Sequence, residues 1–301
     1  MAIDDKYKKK ITLSVVIPTI DSSKFIVKNV TSLERFLKSQ EKIKKYEIII
    51  SAQTSKDNTF ELIKNLESNT IKPLFIRKRG KGIGLNAGFK NSKYDYILMV
   101  DDDFPYPFES MKKLIDRAQD HDIVIASRYV KKIRQNVPFV RRLASDIYIR
   151  IVKMILNIPQ KDIQAGMKLI RKSIFERIKH PKEKGYVWDT ELLYLANKHN
   201  MRITEVPVEC IHKPNKLVIY KVAPLMLIGC WRVWWRDESK RIKNFTIAEY
   251  SLMTFNYLLL FLFVDIVGYK FWWVAIILAP LNYILKLSFF RKIFEDNSLD
   301  K

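Results

Sequence analysis

The sequence predicts an α/β fold built on a largely parallel sheet, followed by a membrane-associated C-terminal region. Two observations predict the fold: short, nearly continuous apolar segments recur along residues 11–127, and amphipathic segments separate them. Continuous apolar segments are typical of strands buried on both faces, and their alternation with helices is typical of βαβ units. A third observation, the scarcity of charged residues between positions 245 and 290, predicts the membrane region.

Each element follows from its own pattern. Apolar, β-branched segments predict buried strands at 13–18, 46–51, 73–77, 96–101 and 122–127. Helical periodicity predicts helices at 22–40, 58–67, 85–92, 108–119, 139–156 and 188–198. Asp57 and Asn58 are suitable N-cap residues for the second helix. Residues 202–208 are predicted as a strand at the sheet edge, because they contain Pro207.

The composition limits the class of protein to which the chain can belong. A hydrophobic fraction of 48% excludes a disordered chain, and two cysteines exclude a disulfide scaffold or a zinc site built from cysteines. The formal net charge is +22, and residues 128–182 carry 15 Lys and Arg against three acids, a local charge of +12. Such an excess is typical of proteins that bind nucleic acid, an anionic membrane surface or phosphorylated small molecules.

The region after residue 216 is predicted to associate with a membrane. Large apolar side chains and flanking cations at 222–235 favour a helix lying in the bilayer interface over a buried core helix. Residues 247–267 and 271–290 approach the ~20 residues that cross a bilayer. Cations flank both outer ends, which predicts a hairpin with both ends in the cytoplasm. The alternative is a buried helical hairpin of a soluble protein.

The predicted organisation has five parts. The N-terminal tail is polar and lacks the apolar stretch of a secretory signal, so the domain after it is expected in the cytosol. The parts are a polar tail (1–10), an α/β domain (11–215), an interfacial helix and linker (216–244), a transmembrane hairpin (245–292) and a second polar tail (293–301).

An acidic triplet, Asp101, Asp102 and Asp103, follows the fourth predicted strand. Ligands bind at the carboxyl ends of parallel strands in open sheets. Asp101 and Asp103 are predicted to point in the same direction, which suits a hard divalent cation bridging nucleotide phosphates. The alternative is an acidic loop that caps the next helix.

Four of the eight glycines fall between residues 80 and 88, where a predicted helix begins between cations. This pattern is similar to that of a phosphate-binding loop. It is not a P-loop, because no Gly-Lys-Ser/Thr follows, and a Gly-x-Gly pattern alone is weak evidence.

The order of these motifs resembles that of family 2 glycosyltransferases with the GT-A fold, in the branch that makes dolichyl- or polyprenyl-phosphate sugars. The resemblance covers about residues 11–235. The motifs that carry it are 14–19 (SVVIPT), 86–88 (NAG), 101–103 (DDD), 126–130 (ASRYV), 141–145 (RRLAS), 162–168 (DIQAGMK), 188–191 (WDTE) and 205–207 (EVP).

The resemblance implies inverting transfer of a hexose from a nucleotide-sugar to a membrane polyisoprenyl phosphate. The implied metal is Mg²⁺ or Mn²⁺, held by Asp101 and Asp103. The implied catalytic residues are Asp103, Asp162 and Arg128, and the implied ligands of the acceptor phosphate are Arg128, Arg141, Ser145 and Lys168. The implied nucleotide-sugar ligands are Pro18, Thr19, Asp21, Asp57, Lys81, Asn86, Asp101, Asp102 and Asp189. Asp162 has two roles open to it, orienting the acceptor or a cation, or capping a helix.

The sequence also departs from the family pattern. The family has two aspartates after its second strand, whereas residues 51–57 read SAQTSKD, and only Asp57 and Thr59 match. A glutamine often found two positions after the acidic motif is replaced by Pro105, and the late phosphate loop is reduced to 212–216 (HKPNK). The sequence therefore names neither the sugar nor the base.

Two other functions stay open. One is a membrane-anchored family 2 glycosyltransferase acting on a glycan or protein, and the other is a basic membrane-associated binding module. The basic stretch 128–182 and the interfacial helix favour a lipid acceptor. We expect a nucleotide-sugar and a polyisoprenyl phosphate as partners and no nucleic acid, in an integral membrane protein whose catalytic domain and termini face the cytoplasm. An oligomer is possible, and its state is not predicted.

Overall fold

The computed structural model describes residues 10–129, 139–209 and 219–268, together with residues 270, 271 and 280. The chain divides into two compact units, Met1–Trp231 and Arg232–Lys301. The domain boundaries expected from the sequence stay predictions.

The first unit contains seven strands in one mixed sheet. The strands are β1 (Ile11–Thr19), β2 (Ile43–Gln53), β3 (Ile71–Ile76), β4 (Tyr96–Val100), β5 (Ile123–Ser127), β6 (Met167–Arg171) and β7 (Ile203–Pro207). Their order across the sheet is β3-β2-β1-β4-β6-β5-β7. The five strands predicted before residue 128 are all present, and β7 lies at the edge as expected from Pro207.

Strand β6 is the main difference from the sequence-based expectation. It was not predicted, and it runs antiparallel between β4 and β5, which the sequence placed in a parallel sheet. Its sequence, MKLIR, carries a lysine in the middle, so it lacks the continuous apolar pattern of its neighbours. As shown below, that lysine is neutralised by a residue far along the chain.

Helices cover both faces of the sheet. The α-helices of the described residues are α1 (Ile26–Lys38), α2 (Thr59–Lys64), α3 (Lys81–Asn91), α4 (Phe108–Ile115), α5 (Phe139–Leu156), α6 (Lys172–Arg177), α7 (Trp188–Lys198) and α8 (Ile219–Leu260), the last of which continues into the second unit. One face of β1 packs Leu13, Val15 and Ile17 into a buried cluster with apolar residues of α1 and α4. Val16, on the opposite face, lies against Gly88 of α3. This alternation follows from the two-residue period of a strand.

The bounds of α5 and α7 agree with the predicted helices at 139–156 and 188–198. Helix α3 begins at Lys81, earlier than the predicted 85, because the glycines at its start are accommodated by close packing rather than by a loop.

Helix α8 contains the segment predicted to lie in a membrane interface and continues to Leu260, where a π-helical segment, Phe261–Ile266, follows. No helix among the described residues is both long enough and apolar enough to cross a membrane. Most of the second predicted span, 271–290, lies outside the described residues. The transmembrane hairpin therefore stays a prediction.

Candidate active site

The candidate site lies at the carboxyl ends of β1 and β4. Strands β2 and β3 lie on one side of β1 and β4 lies on the other, so the strand order reverses at this point. In open α/β sheets such a reversal opens a crevice at the carboxyl ends of the strands. Thr19 ends β1, and the acidic triplet directly follows β4.

The three aspartates of the triplet have different surroundings. The amide of Asp101 donates to the carbonyl of Gly166 at 3.2 Å. A Cβ on Gly166 would lie 2.0 Å from Oδ2 of Asp101, so only glycine leaves space for this carboxylate. Asp102 turns away: it accepts from the hydroxyl of Thr19 at 2.6 Å and from that of Ser22.

Burial raises the pKa of Asp102, and the neighbouring charges of Asp101 and Asp103 act in the same direction, while the two hydroxyl donors act against them. Asp102 and Thr19, both predicted to bind the nucleotide-sugar, therefore join β1 to the acidic triplet. Asp103 lies at the carboxyl end of β4, in the turn that follows this strand.

Four charged side chains form an alternating chain that leads from the interior to the crevice. Lys168 Nζ lies 2.6 Å from Asp189 Oδ1, Asp189 Oδ2 lies 3.1 Å from Lys81 Nζ, and Lys81 Nζ lies 2.8 Å from Asp101 Oδ1. The exposed fractions of these side chains rise along the chain, from 0% for Lys168 through 3% and 16% to 32% for Asp101. We call these four residues the charge chain.

Three members of the charge chain have shifted pKa values. Burial opposes the charge of Asp189, but the two ammonium groups outweigh it and lower the pKa of Asp189. Burial likewise opposes the charge of Lys81, and the carboxylates of Asp101 and Asp189 outweigh it and raise the pKa of Lys81. Burial lowers the pKa of Lys168, the most enclosed member.

The burial of Lys168 changes the role expected from the sequence. Its Nζ donates to Asp189 and to the carbonyl of Ala165, each at 2.6 Å, and its side chain has no exposed surface. This replaces the direct contact with an acceptor phosphate by an indirect role through Asp189. The pairing joins β6 to α7 and explains how a lysine occupies the middle of a central strand.

The first turn of α7 is fixed by three different contacts. Trp188 is fully buried, and its Nε1 donates to Oδ1 of Asn86 at 2.9 Å. Asp189 joins the charge chain, and Glu191 accepts from the amides of Lys182 and Glu183 at 2.8 and 2.7 Å. The amide nitrogen of Asn86 donates to the carbonyl of Pro181. Both ends of Asn86, predicted as a nucleotide-sugar ligand, are thus used within the protein.

Arg128, which directly follows β5, is held by Asp162. Its Nε and Nη2 donate to the two carboxylate oxygens at 2.8 and 2.9 Å, and its backbone amide donates to Oδ2 at 3.0 Å. Asp162 is fully buried and lies in a loop, so it orients a cation and does not cap a helix. Burial opposes its charge, but Arg128 outweighs that effect and lowers the pKa of Asp162. A third of the Arg128 side chain stays exposed, at 33%.

The segment 162–166 connects Arg128 to the acidic triplet. Asp162 and the carbonyl of Gln164 accept from Arg128, and Gly166 contacts Asp101. Glu205 of β7 supports the segment by accepting from the amides of Lys161 and Asp162 at 2.8 and 2.9 Å. The motifs 101–103, 162–168 and 205–207 and the described part of 126–130, which are separate in the sequence, therefore meet near the carboxyl ends of β4 and β5.

The glycine cluster serves packing rather than phosphate binding. The amides of Gly82 and Ile83, at the start of α3, both donate to the carbonyl of Lys184. A Cβ on Gly82 would lie 2.3 Å from the carbonyl oxygen of Glu183, and one on Gly88 would lie 2.3 Å from Val16. These two amides are therefore used within the protein, and the glycines allow α3 to pack closely on both neighbours.

Two further residues predicted to bind the nucleotide-sugar, Asp21 and Asp57, lie near the ends of β1 and β2. Asp21 has a positive φ of 51° and pairs with Arg79 at 2.5 Å. Asp57 accepts from the amide of Ser23 at 3.1 Å and from the hydroxyl of Thr59 at 2.5 Å. Burial is the largest single effect and opposes its charge, but the hydrogen bonds from Thr59 and Ser23 together outweigh it and lower the pKa of Asp57 to about 2.

Three further positions complete the comparison with the sequence. Pro18 lies beside Gly84 of α3. Arg141 and Ser145 belong to α5, and their side chains lie outside the described part of the chain. Sequence reasoning missed the role of Gln53, whose Oε1 accepts from the amide of Gly80 at 2.5 Å. The departure at 51–57 was the signal for it.

The acidic triplet is compatible with a divalent cation. Among the described residues no group of three or more His, Cys, Asp or Glu side chains is placed to hold a metal by itself. Mg²⁺ is usually bound through one or two carboxylates, with substrate phosphates and waters as its other ligands. Asp101 and Asp103, at the edge of the crevice, fit that pattern.

Comparison with solved structures supports the fold. The chain is similar to mannosyl-3-phosphoglycerate synthase from Rubrobacter xylanophilus, with a TM-score of 0.59 and 14% identity over 76% of this chain and 75% of that one. It is also similar to glucosyl-3-phosphoglycerate synthase from Mycobacterium tuberculosis, crystallised with Mn²⁺ and uridine diphosphate, with a TM-score of 0.52 and 15% identity over 74% of this chain and 80% of that one. The expected GT-A fold is confirmed.

Comparison with curated proteins identifies the family. Glycosyltransferase AglD of Haloferax volcanii is 25% identical over 81% of this chain, which spans only 40% of the length of AglD. Dolichol-phosphate mannosyltransferase of Pyrococcus furiosus is 28% identical, over 84% of this chain and 73% of that protein. Dolichyl-phosphate beta-glucosyltransferase of Dictyostelium discoideum is 31% identical, over 66% of each. Residues 14–179 match the model of glycosyl transferase family 2, and the chain belongs to that family.

Proposed function

We propose that this protein transfers a hexose, with inversion, from a nucleotide-sugar to a polyisoprenyl phosphate in a membrane. The observation that carries the proposal is the bridge formed by residues 162–166, which contacts Asp101 on one side and holds Arg128 on the other. The bridge brings together, near the carboxyl ends of β4 and β5, a site for the donor diphosphate and a guanidinium that can bind a second phosphate. The dolichol-phosphate and dolichyl-phosphate transferases among the relatives support the same acceptor class.

The acceptor side depends on Arg128. Its guanidinium is oriented by a bidentate pair with Asp162, while a third of the side chain stays exposed. A guanidinium in fixed orientation suits bidentate contact with phosphate oxygens. Arg141 and Ser145 are proposed to complete this binding site from α5.

The reaction does not require a general base. A phosphate monoester has its second pKa near 6 and is mostly ionised at neutral pH. Asp189, a buried carboxylate linked to the triplet through Lys81, accepts from two ammonium groups that keep it ionised and occupied. Catalysis therefore rests on positioning and electrostatic stabilisation.

The donor side uses Asp101 and Asp103 as ligands of Mg²⁺ or Mn²⁺, which when bound neutralises charge on the leaving diphosphate. Lys81 lies beside Asp101 and supplies a further cation on the same side of the crevice. Asp21 and Asp57 are proposed to shape the nucleotide pocket, and Asp102 and Asn86 to keep its walls in place.

The proposed location is an integral membrane one, with the catalytic domain and both termini in the cytoplasm. Support comes from the second unit, where Met253, Phe255 and Leu258 are 67%, 47% and 61% exposed. At about 100° per residue these positions lie on different sides of α8. Leu252, on the remaining side, is buried. A helix that exposes large apolar side chains over more than half of its circumference favours contact with lipid.

The test is a transfer assay with the full-length protein in detergent or vesicles. Labelled nucleotide-sugars are screened with polyisoprenyl phosphate, and product is extracted into organic solvent. We expect a lipid-soluble labelled product that disappears in Asp103→Ala and persists in Lys112→Met, which changes an exposed lysine of α4 paired with Asp116. Label found only in glycan or protein, or undiminished lipid product in Asp103→Ala, would contradict the proposal.

A further inference from the structure

The charge chain contains one member that can move. At its inner end Lys168 is enclosed, and both of its partners lie at 2.6 Å. Asp189 is equally enclosed and fixed by α7. Lys81, in contrast, is the first residue of α3, carries its charge on a four-carbon stem and lies where exposure begins.

The backbone that carries Lys81 is fixed. Gly80 donates to Gln53, and the amides of Gly82 and Ile83 donate to Lys184. Any rearrangement of this residue is therefore confined to its side chain, which can pivot while its ammonium keeps Asp189 as a partner.

The ammonium of Lys81 would compete with a divalent cation for the carboxylate of Asp101. Its Nζ is 2.8 Å from Oδ1 of Asp101, and Oδ2 of the same carboxylate lies over Gly166. A divalent cation bound by Asp101 would therefore share a carboxylate with an ammonium, and the two like charges would repel each other. A donor diphosphate beside that cation would offer the ammonium a new anionic partner.

We propose that Lys81 is an exchangeable counter-ion. It neutralises Asp101 in the unliganded enzyme, and when cation and donor bind together its ammonium moves from Asp101 to the diphosphate while it remains paired with Asp189. Lys168 holds Asp189 in place, so that Lys81 can turn about its contact with the Asp189 carboxylate. The exchange makes cation and nucleotide bind cooperatively, because each ligand lowers the cost of moving Lys81 for the other. This inference rests on the donor site of the proposed function but not on the identity of the acceptor.

The exchange predicts effects of opposite sign on two ligands. In Lys81→Met the competing ammonium is absent, so Mn²⁺ alone should bind about five- to tenfold more tightly than to the wild type, within the usual range of coupling between sites. The same variant should bind nucleoside diphosphate at saturating Mn²⁺ about tenfold more weakly, because one cation on the diphosphate is lost. A residue that only bound phosphate would weaken the second equilibrium and leave the first unchanged.

The experiment uses the full-length protein in detergent. Mn²⁺ affinity is measured by electron paramagnetic resonance without nucleotide, and then the affinities of UDP and GDP are measured calorimetrically with Mn²⁺. Lys112→Met, which removes the same charge from an exposed position, should match the wild type in both. Lys81→Arg keeps the cation and should retain the weak binding of Mn²⁺ alone.

Two results would overturn the exchange: Mn²⁺ binding no tighter in Lys81→Met than in the wild type, or equally tight binding in Lys81→Arg and Lys81→Met. The measurements of Mn²⁺ affinity and of nucleotide affinity do not depend on sugar transfer. If Lys81→Met bound Mn²⁺ more tightly and nucleotide more weakly, but the wild type made no lipid-linked sugar, the exchange would be supported and the proposed acceptor would be wrong.

Discussion

The contact between Gly166 and Asp101 leads to a quantitative prediction for Gly166→Ala. The new Cβ would lie 2.0 Å from Oδ2 of Asp101, whereas real Cβ atoms essentially never come closer than 3.0 Å to another atom, so one of the two must move by about 1 Å. The carboxylate is the group that shifts, because the backbone of Gly166 is held in the bridge by Tyr106 and by the amide of Asp101.

A displacement of this size has a large expected effect on activity. Misplacing a group in an active site by about 1 Å costs about 100-fold in rate. Oδ1 of Asp101 is engaged by Lys81, so rotation away from the new methyl group breaks that pair as well. Added volume in a packed site costs about 1–3 kcal/mol of unfolding free energy. We therefore expect kcat/KM to fall about 100-fold in a protein that is destabilised but still folded.

The assay compares Gly166→Ala with Gly185→Ala, since a Cβ at residue 185 meets no atom within 4 Å. Transfer rate, Mn²⁺ affinity and thermal midpoint are measured for both. The control should match the wild type in all three. If Gly166→Ala kept Mn²⁺ affinity and kcat/KM within about twofold of the wild type while remaining folded, the assignment of Asp101 to the donor side would be refuted.

Three other substitutions have defined expected outcomes. Lys168→Met leaves Asp189 buried without its inner partner and should lower the unfolding free energy by about 3–5 kcal/mol in urea titrations, whereas Lys112→Met should change it by less than about 0.5 kcal/mol. Arg128→Lys loses the bidentate geometry and should raise the KM for polyisoprenyl phosphate about tenfold, with nucleotide affinity unchanged. Asp57 has its pKa lowered from 3.8 to about 2, so its stabilisation is present above about pH 4 and is lost as the pH falls toward 2. Asp57→Asn should therefore flatten the pH dependence of stability in that window.

Local pattern was enough to predict much of the fold. The strands before residue 128 are apolar and β-branched, and α5 and α7 have apolar residues at helical spacing, so their existence follows from sequence-local physics. The position of the acidic triplet at the carboxyl end of β4 was predictable for the same reason, since the triplet directly follows a buried apolar strand.

Strand β6 could not be predicted from local pattern. Its central lysine is acceptable in the middle of a sheet only because Asp189, which is 21 residues away in sequence, neutralises it. The same long-range pairing explains why the role of Lys168 changed between sequence and structure. The glycine cluster shows the converse case, in which a local pattern resembles a phosphate loop but the amides of Gly82 and Ile83 donate to the carbonyl of Lys184.

The surroundings of Asp189 connect the structure to the chemistry of the acceptor. A glycosyltransferase that uses a sugar hydroxyl needs a carboxylate free to take its proton, and such a base works best with a pKa near the working pH. Here the buried carboxylate of Asp189, linked to the triplet through Lys81, lies between two ammonium groups that lower its pKa, and the enclosed Lys168 is one of them. An enzyme whose acceptor is an ionised phosphate loses nothing by this arrangement. It gains a fixed anion on which Lys81 can pivot toward the donor. Under the proposed function, Asp189 therefore controls charge beside the metal site and does not act as a base, which is the arrangement expected for transfer to phosphate.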